Sequence, residues 1–202
     1  MANVMKHNYL FATLVSEFEY VPDDNLLNAI KNEEMKEKPI SFHSISSLDD
    51  KLHKKNEYQP LVKTILNNTK EICKIYEYEY EKIEMTNMWI NCSQKADMHA
   101  PHSHSNNIFS GVWYPFRSDI QTPIYFQDPR PSSGAWQPKV KKINTLTTTL
   151  MSFKQQKDMG LIFPSWLVHY VPPAASPRVS ISWNVILRGN YGNPNELQNA
   201  HI

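Results

Sequence analysis

The stretch GLIFPSWLVHYVPPAASPRVSISWNVIL, residues 160–187, indicates the fold most strongly. It divides into three short runs rich in β-branched and aromatic residues, 160–163, 168–171 and 178–187, separated by Pro, Ser and Ala, as is typical of strands joined by turns. Similar runs lie upstream, at residues 82–91, 108–114, 124–128 and 145–153. Many short strands at this spacing predict a mainly β domain, either a sandwich or a barrel.

The residues before this region predict helices that pack on its outside. An opening strand is expected over residues 9–20, and Asp23 and Asp24 are candidate N-caps of a helix that runs to about Lys38. Residues 41–56 suit a loop with a short helical turn, and apolar residues recur with helical spacing from Glu57 to Tyr76.

These elements predict one domain over residues 1–202, with a helical flank at about 23–80, a β-barrel core at about 82–188 and a loose C-terminal tail, 189–202. The formal net charge of +1 gives no electrostatic footprint for binding nucleic acid. Neither cysteine lies in a CxxC pair, and no leader or long apolar run is found, so we expect a soluble, cytoplasmic protein without membrane contact.

Histidines are concentrated in ADMHAPHSHSNN, residues 96–107, with one more in the strand-like run at 168–171. Alternate residues of a strand share a face, so His102 and His104 can direct two imidazoles at one point. His169 is a candidate third ligand, which an antiparallel barrel can return beside this pair. Three ligands on one face of an iron ion leave positions open for a chelating cosubstrate and O₂. The alternative for the cluster at 96–107 is a solvated polar loop, and the alternative for His169 is a hydrogen-bonded core histidine.

Arg178 and Ser180 share one face of the last predicted strand. An arginine fork and a hydroxyl can together bind the far carboxylate of a dicarboxylic keto acid whose other end chelates the metal. A surface ion pair at the start of a strand is the alternative. Asn91 and Asn184 are also candidates for binding the cosubstrate, although hydrogen bonds to a strand edge explain them equally well.

The ordered motifs resemble the 2-oxoglutarate/Fe(II)-dependent oxygenases, prolyl-hydroxylase-like, that are common in marine bacteria and phages. The motifs are MWIN (88–91), HSH (102–104), SGVWY (110–114), FQDPR (126–130), GLIFPSWLVH (160–169) and RVSISWN (178–184). The resemblance covers most of the chain. It implies a double-stranded β helix, a jelly roll of the cupin type, with Fe(II) near one mouth. It also implies 2-oxoglutarate held by an arginine after the distal histidine, and hydroxylation as the default reaction.

The chain departs from prolyl-hydroxylase-like relatives in the HSH triplet, because those relatives carry H-x-D. Asp128 can in principle restore the carboxylate, but the DPRP turn favours pairing of Asp128 with Arg130. His99 is a second alternative ligand. The ligand set His102, His104 and His169 is retained, and no catalytic residue is predicted beyond the metal site.

Two other functions stay open at this stage. The missing carboxylate is compatible with a non-catalytic cupin-like module, and an all-histidine site is compatible with a three-histidine dioxygenase that needs no keto acid. The substrate, a small molecule or a peptide, cannot be named from polar, proline-containing loops. Oligomeric state is also open, a homo-oligomer included.

Overall fold

The computed structural model describes residues 5–8, 10–37, 44–130, 133–193 and 195–202. Its helices are α1 (Asp24–Asn32) and α2 (Gln59–Tyr76), with 3₁₀ turns at Leu52–Lys54 and Asn56–Tyr58. Its strands are β1 (Ser16–Glu19), β2 (Met35–Glu37), β3 (Ile45–Ser47), β4 (Lys82–Ser93), β5 (His99–His102), β6 (Phe109–Trp113), β7 (Ile124–Gln127), β8 (Leu150–Phe153), β9 (Met159–Pro164), β10 (His169–Val171), β11 (Arg178–Arg188), β12 (Asn190–Tyr191) and β13 (Ala200–His201).

Two antiparallel sheets form the body of the domain. The larger sheet has the strand order β1-β9-β6-β11-β4-β3-β2, and the smaller sheet has the order β5-β10-β7-β8. Strands distant in sequence are neighbours in both sheets, as expected when a chain winds between two facing sheets. The fold is a double-stranded β helix, which confirms the predicted class.

The long strand β11 separates the hydrophobic core from a cavity. Ile181 and Trp183 are fully buried in the cluster that also contains Leu61 and Ile65 of α2. The alternate residues of β11, from Arg178 to Asn184, line a cavity on the other side. This alternation follows from the two-residue period of a strand, and it places every polar side chain of the segment on the cavity face.

Helix α1 begins as the sequence predicts and ends earlier. The Asp23 carboxylate accepts a hydrogen bond from the Leu26 backbone N–H at 2.8 Å, which confirms it as an N-cap. The helix ends at Asn32, and Met35–Glu37 pairs with β3 instead of continuing the helix. The prediction of a helix to about residue 38 is therefore wrong over 33–37, and Lys38 itself lies outside the described residues.

Two other boundaries also differ from the predictions. The opening strand is confined to Ser16–Glu19, without residues 10–15, and Tyr9 lies outside the described residues. The segment predicted as a loop, 41–56, contributes Ile45–Ser47 to the larger sheet, while 41–43 lie outside the described residues. In the tail, Asn190–Tyr191 pairs with Ala200–His201. Within the described ranges, neither helix combines the length and the apolar character needed to cross a membrane.

Candidate metal and cosubstrate site

The three predicted histidines come together at one place between the sheets. His102 and His169 are directly paired residues of the neighbouring strands β5 and β10. His104 lies just beyond the end of β5, where its backbone N–H donates to the Ser165 carbonyl at 2.8 Å. One nitrogen of each imidazole lies within 4.8 Å of the corresponding nitrogens of the other two. The fold therefore assembles a group of three nitrogens that can hold a metal ion.

Backbone carbonyls determine the ring nitrogen that His102 and His169 can offer to a metal. His102 Nδ1 lies 2.7 Å from the Ala100 carbonyl oxygen, and His169 Nδ1 lies 2.9 Å from that of Leu167. A carbonyl oxygen only accepts hydrogen bonds, so each Nδ1 must carry the proton. The lone pair of each neutral ring then lies on Nε2, as in histidines that bind metals.

His104 obtains the same arrangement from a side chain. Its Nδ1 lies 2.6 Å from Oδ1 of Asn184, which projects from β11 of the larger sheet. Ser110 Oγ donates to the same oxygen at 2.7 Å. Asn184 thus holds His104 from the opposite sheet, while its predicted contact with the cosubstrate stays a prediction.

Burial keeps the distal histidine neutral. His169 is only 5% exposed. Desolvation, with a smaller contribution from His102, lowers the pKa of His169 to about 3. A histidine must be neutral to bind a metal, so the ring is in its binding form throughout the physiological pH range.

Arg178 provides a buried positive charge in the same cavity. It is 5% exposed, and its Nε makes no hydrogen bond within the described part of the chain. The buried hydroxyl of Tyr114 lies beside the Arg178 side chain. Burial raises the pKa of Tyr114, and the Arg178 charge opposes this rise. Buried groups of this kind are costly without a partner, so the pair fits an anionic ligand.

Ser180 and Asn91 complete the polar wall around Arg178. Ser180 follows Arg178 on the same face of β11 and is 2% exposed. Asn91 accepts a hydrogen bond from Trp89 Nε1 at 3.1 Å and donates one to Ser182 Oγ at 3.0 Å. Both residues line the cavity, and their binding to a cosubstrate stays a prediction.

The cavity has a volume of about 550 Å³, which lies within the usual range for small-molecule sites. The residues that matter for its chemistry fall into two sets. The three histidines, Arg178 and Tyr114 form one set. The second set carries charged and polar groups from β2, the β3–α2 connection and β4, and consists of Lys36, Glu37, Asp50, Asn87 and Trp89.

Neither alternative ligand belongs to the group of three histidines. His99 also lines the cavity, but its Nε2 is hydrogen-bonded to Ser44 Oγ at 3.1 Å, and it does not belong to the group of three. Asp128 is paired with Arg130 at 2.6 Å, as predicted, and this partner lowers the pKa of Asp128 to about 2. Within the described part of the chain, the group contains no carboxylate.

Tyr114 was named from the sequence only as part of the SGVWY motif, without a role of its own. Trp113, the last residue of β6, packs in the helix-facing core, and Tyr114, the next residue, packs in the cluster on the other side. That alternation was the available signal. The contact between His104 and Asn184 had no such signal, because it depends on how the two sheets face each other.

Comparison with known proteins agrees with this geometry. Residues 87–184, which contain both the histidines and the arginine, match the family described as "Putative 2OG-Fe(II) oxygenase". The matched segment is 98 of the 202 residues, and the match indicates a 2-oxoglutarate/Fe(II)-dependent oxygenase. The oxygenase uses Fe(II) as its metal and 2-oxoglutarate as its cosubstrate.

Solved structures share the fold of this oxygenase at low sequence identity. A prolyl-4-hydroxylase of Pseudomonas putida is 11% identical, with a TM-score of 0.59 over 89% of this chain and 95% of its own. A 2OG-Fe(II) oxygenase family oxidoreductase of Burkholderia pseudomallei is 12% identical, with a TM-score of 0.57 over 85% and 84%. HygX of Streptomyces hygroscopicus, solved with nickel, 2-oxoglutarate and hygromycin B, is 10% identical, with a TM-score of 0.55 over 87% and 83%. No curated protein matches this oxygenase by sequence.

Proposed function

We propose that this oxygenase binds Fe(II) through His102, His104 and His169, binds 2-oxoglutarate through Arg178 and Ser180, and hydroxylates a substrate that enters the same cavity. The observation that carries the proposal is the convergence of three imidazoles, each with Nδ1 bonded to an oxygen, beside a buried arginine. Each group fits one part of the expected complex.

The histidines act as neutral nitrogen donors that keep their orientation. Their Nδ1 contacts prevent ring rotation, and the burial of His169 excludes protons that would compete with a metal. When bound, Fe(II) and 2-oxoglutarate supply the O₂-dependent oxidising chemistry of the reaction. The protein contributes binding, orientation and shielding from water.

Arg178 holds the far carboxylate of 2-oxoglutarate and thereby sets the position of the keto-acid end. Its fork can donate two hydrogen bonds to one carboxylate, Ser180 can donate a third, and the Tyr114 hydroxyl lies close enough to Arg178 to join them. This buried cation favours a reaction that uses a dicarboxylic keto acid. It disfavours the alternative of a three-histidine dioxygenase, which needs no keto acid. The remaining part of the cavity, around Asp50, is the expected substrate entrance.

The test is turnover of 2-oxoglutarate by the Fe(II)-loaded protein, measured as succinate released under air. We expect succinate to form only with Fe(II), 2-oxoglutarate and O₂, and the His169→Ala variant to release none. Failure of the folded, iron-loaded wild type to release succinate would identify a non-catalytic module. Oxygen consumption that needs no 2-oxoglutarate and survives Arg178→Ala would identify a three-histidine dioxygenase.

A further inference from the structure

The three histidines differ in what fixes their rings. His102 and His169 use backbone carbonyls, which cannot change their hydrogen-bonding character. His104 uses the Asn184 side chain, at 2.6 Å, and Asn184 is only 8% exposed. Because an amide presents an acceptor on one side and a donor on the other, the state of His104 depends on the orientation of Asn184.

A closed chain of hydrogen bonds surrounds this contact. Ser110 Oγ donates to Asn184 Oδ1 at 2.7 Å and lies 2.8 Å from Ser165 Oγ. The Ser165 carbonyl accepts the backbone N–H of His104 at 2.8 Å, which returns the chain to its starting residue. Both serines are fully buried, so water does not compete for these bonds.

The orientation of the amide decides whether His104 can bind a metal through Nε2. With Oδ1 toward the ring, His104 Nδ1 carries the proton and Nε2 carries the lone pair. With the amide reversed, Nδ2 would donate to His104 Nδ1, and the proton of the neutral ring would move to Nε2. That tautomer has no lone pair on the nitrogen that faces the metal site.

We propose that Asn184 is a positioning residue that selects the metal-binding tautomer of His104, and that Ser110 and Ser165 hold its amide in the required orientation. The inference rests on the proposed function, because it assigns His104 as a metal ligand. It gives Asn184 a role different from direct contact with 2-oxoglutarate. It also explains how a histidine in the carboxylate position of the H-x-D motif is kept in a single state.

The experiment compares Co(II) affinity, measured by calorimetry without 2-oxoglutarate, for the wild type, Asn184→Leu and Asn184→Asp. Leu has a similar volume and no acceptor, so we expect affinity to fall roughly 10- to 100-fold, as for other partners of metal-binding histidines. A carboxylate only accepts hydrogen bonds, so Asn184→Asp should bind Co(II) at least as tightly as the wild type. A purely structural role predicts the opposite order, because Asp introduces a buried charge.

Two further measurements keep the result interpretable. Ser110→Ala should weaken Co(II) binding by a smaller factor, whereas Ser176→Ala, which removes a similarly buried hydroxyl bonded to Ile120, should not change it. The ¹⁵N spectrum of histidine-labelled, metal-free wild type at neutral pH should show His104 protonated on Nδ1. If Asn184→Leu folds and binds Co(II) as the wild type does, or His104 is protonated on Nε2, the inference is wrong. Absence of Co(II) binding by the wild type would instead overturn the proposed metal site.

Discussion

Replacing Arg178 by alanine should weaken binding of 2-oxoglutarate and leave metal binding unchanged. Arg178 is only 5% exposed, and its Nε has no hydrogen-bond partner within the described residues. In the proposed complex its fork makes two charge-assisted hydrogen bonds to the far carboxylate. None of its atoms bonds to the three histidines among the contacts described, so the metal site should keep its geometry.

The size of the effect follows from the burial of the arginine. Hydrogen bonds to charged groups contribute about 1.5–3 kcal/mol each. Two are lost, but water entering the space left by the side chain recovers part of this energy, so a net loss of about 3 kcal/mol is expected. This corresponds to a roughly 150-fold higher Kd. Arg178→Lys keeps the charge and loses the fork, so its Kd should rise about tenfold.

Calorimetric titration of Mn(II)-loaded protein under nitrogen measures this directly. The control ligand is 2-oxopentanoate, which keeps the chelating end and replaces the far carboxylate by a methyl group. For the wild type, the Kd of the analogue should exceed that of 2-oxoglutarate by a factor close to the rise in Kd that Arg178→Ala causes. For Arg178→Ala, the Kd values of the two ligands should be nearly equal. A folded Arg178→Ala protein that binds 2-oxoglutarate as tightly as the wild type would refute the reasoning.

Three further results are expected. His169→Ala should abolish iron binding, whereas His99→Ala should leave it largely intact; equal losses in iron titrations would overturn the ligand assignment. Asp128→Asn should not change iron affinity. Since the arginine partner holds the pKa of Asp128 at about 2, that ion pair stabilises the wild type above about pH 4 and ceases to do so as the pH falls towards 2. The free energy of unfolding, measured with urea, should therefore differ less between pH 5 and pH 3 in Asp128→Asn than in the wild type. Gly111→Ala should lower the free energy of unfolding by about 1–3 kcal/mol, because its Cβ would collide with a buried tryptophan ring, whereas Gly134→Ala, with its nearest neighbour at 3.6 Å, should be neutral.

Most barrel strands were predictable because each is marked by its own composition. The strand His99–His102 was not among the predicted runs, and the run predicted at 145–153 forms a strand only over Leu150–Phe153. The run predicted at 178–187 is Arg178–Arg188 in the structure, and that at 160–163 is Met159–Pro164. The end of α1 was not predictable, since Met35 continues the helical spacing of apolar residues. Glu33 departs from helical geometry and accepts hydrogen bonds from Lys55 and Tyr58, which are distant in sequence.

The candidate site was predictable in its residues but not in its supports. The HSH spacing brought His102 and His104 to one side, although the strand ends at His102 and a contact with Ser165 places His104. The acceptor of His104 Nδ1 could not be predicted, because Asn184 comes from the facing sheet. Contacts between sheets depend on packing, which a linear pattern does not encode.

A crystal structure of the protein with Mn(II) and 2-oxoglutarate, prepared without oxygen, tests the central claim most directly. The account predicts Mn(II) bound to Nε2 of His102, His104 and His169, with the far carboxylate of 2-oxoglutarate on Arg178. Coordination by His99 or Asp128 in place of one of these histidines, or 2-oxoglutarate bound away from Arg178, would contradict it.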